Sequence, residues 1–227
     1  MPTPPIIIAI GRELGSGGSL IGQRVARRLQ IAYVDREIFT QAAQHLGVDE
    51  RDLAHREERV SSFWERLVAP FAMGSPDEIY ARYPPPVALP DAALFEAQKR
   101  VMRELATDRD CVIIGHGAFH VLKGEPGLIK VFVLAPVAFR VKPVREMFRL
   151  QSDDEARALI AKVDGDRERF IREMTGCAWR DCRHYDLCID TCRVGIELAE
   201  DLIVRLVEQR RTRLGVEPDG PECSSES

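Results

Sequence analysis

The sequence contains no apolar run that is long enough to cross a membrane. Its longest apolar stretches, such as LIKVFVLAPVAF from Leu128, are far shorter than the roughly 20 residues that a bilayer span requires. The first ten residues, MPTPPIIIAI, also lack the positive charge and the long apolar segment of a signal peptide. We therefore expect a cytoplasmic protein that does not enter a membrane.

An excess of charge of either sign is also missing. The 32 Lys and Arg residues stand against 36 Asp and Glu residues, and the formal net charge is -4. Because no overall basic field favours nucleic acid, we expect small-molecule partners. We also expect either a monomer or a homodimer. With 227 residues, of which 45% are hydrophobic, the chain is long enough for one globular domain with a full core.

The six cysteines lack the pattern of a disulfide framework or a zinc site. Four of them lie with His184 in the segment TGCAWRDCRHYDLCIDTC at residues 175–192. This segment contains no C-x-x-C pair, and Cys188 falls within a predicted strand. Without a secretion signal, cysteines in a chain of this length are expected to be reduced. We predict no zinc.

Strand-like apolar runs alternate with helical patterns along the chain. This alternation predicts an α/β fold with a five-stranded parallel sheet and helices on both faces, in which ligands bind at the carboxyl ends of the strands. Strands are predicted at residues 6–10, 31–35, 111–115, 128–135 and 185–190. Helices are predicted at residues 20–29, 36–67, 91–106, 137–174 with a break near Ser152, and 196–214, while the proline cluster at 69–91 predicts an irregular connection.

The stretch IIIAIGRELGSGGS at residues 6–19 has the strand, glycine loop and helix order of a phosphate-binding site. The standard phosphate loop, G-x-x-x-x-G-K-[ST], carries a lysine that binds phosphate oxygens. In this sequence Gly18 stands at the position of that lysine, and Arg12 stands at the position of the first glycine. The loop is therefore a phosphate site that has lost its cation, a phosphate site whose cation has moved, or a different kind of site.

Two other interpretations of this loop are open. Glycines alone are sufficient to make a tight turn between a strand and a helix. The spacing of Gly11, Gly15 and Gly17, with Asp35 at the end of the second strand, also fits a dinucleotide site in a short-chain dehydrogenase. Those enzymes use a Tyr-x-x-x-Lys pair for proton transfer, and none of the four tyrosines is followed by a lysine four residues later.

Four segments of the chain resemble the cytidylate kinase-like family of P-loop nucleoside monophosphate kinases, and they occur in the family's order. They are IAIGRELGSGGSLIGQRVARRLQIAYVDREIF, CVIIGHGAFHVL, LIKVFVLAPVAFRVKPV and KVDGDRERFIREMTGCAWRDCRHYDLCIDTCRVGIELAEDLI. The resemblance implies one P-loop kinase domain over residues 1–215, with a monophosphate-binding insert at about 36–93 and a helical lid at about 152–184. The polar residues 216–227, which contain glycine and proline, predict a disordered tail.

The same resemblance implies an enzyme that moves the γ-phosphoryl group of Mg-ATP to a nucleoside monophosphate, with CMP, dCMP or UMP as candidates. Arg12 is the candidate for the relocated cation, although an ion pair with Glu13 is the alternative. A nucleotide-binding regulatory protein of the same fold is the alternative function. The implied ATP-binding residues are Gly11, Gly15, Ser16, Gly17, Gly18 and Ser19, with the Ser19 hydroxyl facing Mg²⁺.

Further site residues follow from the same resemblance. Asp164 and Arg167 match the family's lid motif D-x-x-R, and Arg172 follows them as a third catalytic candidate. A plain helix pair between Asp164 and Arg167 is the alternative. His116 and Pro143 stand where the family has arginines. The candidate residues for binding the acceptor are Asp35, His116 and Arg140.

Overall fold

The computed structural model describes residues 4–35 and 92–215. The predicted helix at 36–67, the predicted connection at 69–91 and the predicted tail at 216–227 lie outside the described residues, as does most of the predicted insert. The limits of the insert, the lid and the tail remain predictions.

Five strands form one parallel sheet. Strand β1 is Ile7–Arg12, β2 is Ala32–Val34, β3 is Cys111–Ile114, β4 is Leu128–Leu134 and β5 is Leu187–Asp190. Their order in the sheet is β2-β3-β1-β4-β5, so β1 is central and Ile10 pairs with Ile114 on one side and Val131 on the other. All five predicted strands are present, and the prediction of a parallel sheet is confirmed.

Seven α-helices are described. They are α1 Gly18–Leu29, α2 Ala92–Asp108, α3 Ala118–Val121, α4 Val137–Phe148, α5 Asp153–Thr175, α6 Thr191–Val194 and α7 Ile196–Gly215. The predicted break near Ser152 is confirmed, because Arg149 ends α4 with φ 53 and the Ser152 hydroxyl accepts a hydrogen bond from the Glu155 amide at the start of α5. None of these helices in the described residues is long and apolar enough to span a bilayer.

Helices cover both faces of the sheet because alternate strand residues point to opposite sides. Ile8 and Ile10 of β1 pack with Ile21 of α1 and Ile203 of α7 in one buried cluster. On the other face, Ile7 and Ala9 pack with residues of α2 and α3 and with Phe132, Trp179 and Tyr185. The prediction of a sheet covered on both faces is therefore confirmed.

A third buried cluster lies beside the glycine loop. It is formed by Leu14 of the loop together with Val141 and Val144 of α4 and Ile160 and Val163 of α5. Helices α4 and α5 therefore pack against each other and against the loop that follows β1. This arrangement places helix α5, which lies in the predicted lid, at the carboxyl edge of the central strand, where ligands of parallel sheets bind.

Candidate phosphate-binding site

The glycine loop joins the central strand β1 to helix α1. Gly15 has φ 77 and Gly17 has φ 82, both in the left-handed region that favours glycine. Gly17 is the N-cap of α1, and no side chain caps this helix. The first N–H groups of an α-helix have no partners within the helix, and the helix dipole adds positive potential there, so this end of α1 is suited to an anion.

Ser16 fixes the loop from inside. Its side chain is 1% exposed, and its Oγ lies 2.8 Å from the Glu13 carbonyl oxygen and 3.1 Å from the Val133 carbonyl oxygen. The Thr191 hydroxyl donates to the Ser16 carbonyl at 2.7 Å. Ser16 therefore anchors the loop to β4 through its hydroxyl and to Thr191, after β5, through its carbonyl, and its side chain does not point outward.

The Arg12 side chain lies across the mouth of the site. Its Nε donates to Ser19 Oγ at 3.4 Å, and its guanidinium covers Gly115, the residue that follows β3. A Cβ built on Gly18 would lie 2.5 Å from the Arg12 Cβ, so the Arg12 stem occupies the space next to Gly18. The structure brings together Arg12, Gly18 and Ser19, three of the residues predicted from the sequence.

Asp164 and Arg140 form a buried ion pair beside the loop. Both residues are 3% exposed, and Arg140 Nη1 donates to Asp164 Oδ2 at 2.6 Å. The second oxygen of Asp164 accepts the Leu14 amide at 2.8 Å. The predicted lid acid and the predicted acceptor-binding arginine therefore contact each other and the loop backbone.

Arg180 was not predicted from the sequence, although it belongs to the same cluster of charges. Its Nε donates to Glu13 at 2.9 Å, its Nη1 donates to Glu168 at 2.8 Å, and its guanidinium stacks on the Trp179 ring at 4.9 Å. The only signal in the sequence is Glu13 itself, an acid in an anion-binding loop that needs a cationic partner to be buried.

Arg167 and Arg172, the two arginines predicted for the lid, have different surroundings. Arg167 Nη1 donates to the Arg12 carbonyl at 3.0 Å and lies 3.7 Å from Asp164 Oδ1. It therefore makes the helix pair with Asp164 that was the alternative to a catalytic role, and it also contacts the loop backbone; its catalytic role stays a prediction. The Arg172 side chain is 67% exposed and pairs at 3.1 Å with Glu168, which also accepts from Arg180.

Asp35 and His116 lie after β2 and β3, the two strands on one side of β1. Asp35 directly follows β2 and is buried. His116 has φ 54 and stands between Gly115 and Gly117, which also have positive φ. Its Nδ1 lies 3.2 Å from Gln98 Oε1 of α2, so the turn after β3 is held against that helix.

A small cavity opens at the carboxyl ends of β1 and β3. Its walls include Gly11, Gly115, Gly117, Phe119 and Trp179. A Cβ on Gly11 would lie 2.8 Å from the Phe132 ring, so a larger residue at this position would clash with Phe132. Tyr185 stands behind this wall, where its hydroxyl donates to the Trp179 carbonyl at 2.8 Å and burial raises its pKa.

The cysteine-rich segment follows α5. Cys177 Sγ lies 3.4 Å from His120 Nδ1, and burial, followed by the charge of Lys123, lowers the pKa of His120. Within residues 4–35 and 92–215, no group of three or more His, Cys, Asp or Glu side chains could hold a metal ion.

A glycine loop that connects the central strand of a 2-3-1-4-5 parallel sheet to an uncapped helix defines a protein of the P-loop kinase type. The sequence profile described as the cytidylate kinase-like family matches residues 7–193, and the chain belongs to this family. Membership in a kinase-like family supports a phosphotransferase.

Solved structures of similar fold were also found. An uncharacterized protein from Eubacterium ventriosum is 23% identical, with 89% of this chain and 98% of that chain covered and a TM-score of 0.66. A shikimate kinase from Bacteroides thetaiotaomicron is 14% identical, with 89% and 98% covered and a TM-score of 0.48. A gluconokinase from Sinorhizobium meliloti is 14% identical, with 94% and 99% covered and a TM-score of 0.45. No curated protein matches the chain.

Proposed function

We propose that the protein transfers the γ-phosphoryl group of Mg-ATP to a pyrimidine nucleoside monophosphate in the cytoplasm, with CMP or dCMP as the preferred acceptor. One observation carries the proposal: the glycine loop places the uncapped N-terminus of α1, Arg12 and Ser19 around one point at the end of the central strand. Membership in the cytidylate kinase-like family supports the choice of acceptor.

The loop is suited to the phosphates of ATP without a lysine. The first N–H groups of α1 would donate to phosphate oxygens, and the positive φ of Gly15 and Gly17 shapes the loop around them. Ser19, in the first turn of α1, carries the hydroxyl that would hold Mg²⁺. When bound, Mg²⁺ neutralises negative charge on the β- and γ-phosphate oxygens.

Arginines at the loop would stabilise the transferred group. Phosphoryl transfer spreads negative charge over the equatorial oxygens, and a guanidinium offers two parallel donors to such oxygens. Arg12 and Arg167 already lie at the loop, so they are the proposed catalytic arginines. Arg172 pairs with Glu168 and would have to leave this exposed position to reach the transferred group.

The acceptor site would lie at the carboxyl ends of β1, β2 and β3. Asp35, His116 and the cavity beside Gly11 are located there. The guanidinium of Arg140 is paired with Asp164 and buried, so its effect on the acceptor would be indirect. His116 would donate to the monophosphate in place of the arginine that the family has at this position.

A coupled ADP-release assay tests the proposal. Purified protein with Mg-ATP is offered CMP, dCMP, UMP, AMP and GMP, while calorimetry measures the affinity for ATP and for NAD. We expect turnover that is fastest with CMP or dCMP, and weak binding of NAD. Binding of ATP without turnover would instead favour a regulatory nucleotide-binding protein. Tight binding of NAD with no binding of ATP would exclude a kinase function.

A further inference from the structure

Four charged residues surround the first part of the glycine loop. We call Glu13, Arg140, Asp164 and Arg180 the loop clamp. Its members come from the loop, from α4, from α5 and from the segment after α5. Arg140 lies 3.4 Å from Glu13 and 2.6 Å from Asp164, and Arg180 lies 2.9 Å from Glu13. Two acids and two arginines balance in formal charge.

The clamp binds both polar groups of the Leu14 residue. Asp164 Oδ1 accepts the Leu14 amide at 2.8 Å, and Arg140 Nη1 donates to the Leu14 carbonyl at 3.0 Å. The same Arg140 nitrogen also donates to Asp164. Leu14 directly precedes Gly15, where the backbone takes its positive φ, so the ion pair fixes the backbone at the start of the turn.

Glu13 is fixed in a similar way. One carboxylate oxygen accepts the Ala135 amide at 3.3 Å, and the other accepts Arg180 Nε at 2.9 Å. The Glu13 carboxylate is thereby held at the end of β4 by one amide and two arginines, Arg140 and Arg180. An anion that binds at the start of α1 is therefore not faced by an unpaired carboxylate from the loop.

Stability alone does not explain the buried ion pair of the loop clamp. Desolvating two charges offsets most of their attraction, and apolar pairs of similar size are often at least as stable. Within the described residues, Arg140 Nε is also buried without a hydrogen-bond partner. A buried pair of this kind is better explained by the backbone conformation that it selects than by the free energy of unfolding.

We infer that the pair Arg140 and Asp164 acts as a positioning device, which holds the phosphate loop ready for the ATP phosphates and replaces part of the order that a bound lysine would supply. This inference rests on the proposed function, because it takes the loop to be the ATP site. It also assigns Asp164 to the support of the loop instead of to direct contact with substrate.

Paired variants separate positioning from stability. Asp164→Asn alone should lower Tm, because it removes the shorter of the two ion pairs of the buried Arg140 and leaves only the 3.4 Å pair with Glu13. The double variant Arg140→Met with Asp164→Leu removes both charges, and we expect most of the Tm to return. ATP affinity should not return, and calorimetry should give a Kd raised at least about tenfold, which corresponds to the loss of about one phosphate hydrogen bond.

A matched control uses the other ion pair between the same two helices. Arg145 of α4 and Asp153 of α5 are 2.7 Å apart, and both are exposed. The double variant Arg145→Ala with Asp153→Ala should leave the Kd for ATP unchanged.

In turnover assays, the double variant Arg140→Met with Asp164→Leu should show a raised KM for ATP. Normal ATP affinity in the clamp double variant at normal Tm would overturn the inference.

A second measurement decides the case if the double variant does not fold. In the wild-type protein without nucleotide, hydrogen exchange followed by NMR should find the Leu14 amide protected, since it donates to a buried carboxylate. Exchange at the rate of an exposed loop amide would overturn the inference. This test stays informative if the wild-type protein binds no ATP, in which case the proposed function alone has failed.

Discussion

At the scale of single residues, the Arg12 side chain occupies the space that a side chain at position 18 would need. A Cβ on Gly18 would lie 2.5 Å from the Arg12 Cβ and 3.2 Å from the Val133 Cβ. A lysine at position 18 therefore has no room while Arg12 holds this position. The absence of the loop lysine is accompanied by a cation that enters the same space from the preceding strand.

Replacing Arg12 tests whether it is the relocated cation. Arg12→Ala should lower kcat by at least about 10²-fold, the scale for the loss of one preorganised charge at a developing phosphoryl oxygen. Steady-state kinetics with CMP measures this, and Arg205→Ala on the exposed side of α7 is the control. A change within about threefold, or roughly 0.65 kcal/mol, would assign Arg12 to a surface contact.

Replacing Arg167 separates catalysis from helix pairing. Its side chain is 25% exposed and already contacts the Arg12 carbonyl, so Arg167→Ala should lower kcat and kcat/KM together, with a fall in Tm for the lost hydrogen bond. Arg167→Lys should keep a clear defect, because an ammonium cannot present two parallel donors. If lysine restores full turnover, the role of Arg167 is limited to pairing with Asp164.

At the scale of elements, two helical glycines form a matched pair. Gly18 begins α1 against Arg12, whereas a Cβ on Gly165 in α5 would meet no neighbouring atom within 4 Å. Gly18→Ala should cost about 1–3 kcal/mol of unfolding free energy through overpacking and should weaken ATP binding. Gly165→Ala should stabilise the protein by up to about 1 kcal/mol.

Urea unfolding and calorimetric titration with ATP check both glycine variants. The two substitutions add the same methyl group to a helix, so any difference between them reports the surroundings. If Gly18→Ala is as stable as the wild type and binds ATP normally, the contact between Gly18 and Arg12 does not shape the site.

The elements were predictable from the sequence, whereas the clamp was not. Buried strands such as β4 are recognisable by their uninterrupted apolar runs, and the Ser152 cap marks a helix start locally. The contact of Asp164 with Leu14 joins residues 150 positions apart. The motif D-x-x-R identified Asp164 as important, but its burial and its partner Arg140 depend on how α4 and α5 pack on the loop.

At the scale of the whole molecule, the sheet that positions the site also buries a titratable thiol in its core. Cys111 begins β3 and pairs with Ile7 of β1 and Ala32 of β2. It is fully buried, and this burial, reinforced by the charge of Asp110, raises its pKa from 9.0 to about 12. The thiol therefore stays protonated in the folded protein at pH values where an unfolded chain has lost the proton.

The sign of the resulting pH dependence follows from the bound protons. Between pH 9 and about 12 the unfolded state binds fewer protons at Cys111 than the folded state, so stability falls as pH rises, by at most about 1.4 kcal/mol per pH unit. Cys111→Ala should lower stability at pH 7.5 by leaving a cavity, but it should flatten the decline above pH 9. Urea unfolding at pH 7.5, 9, 10 and 11 measures both effects, with Cys192→Ala as the control at an exposed cysteine. Equal slopes for Cys111→Ala and the wild type would mean that the Cys111 thiol ionises as easily in the folded core as in the unfolded chain.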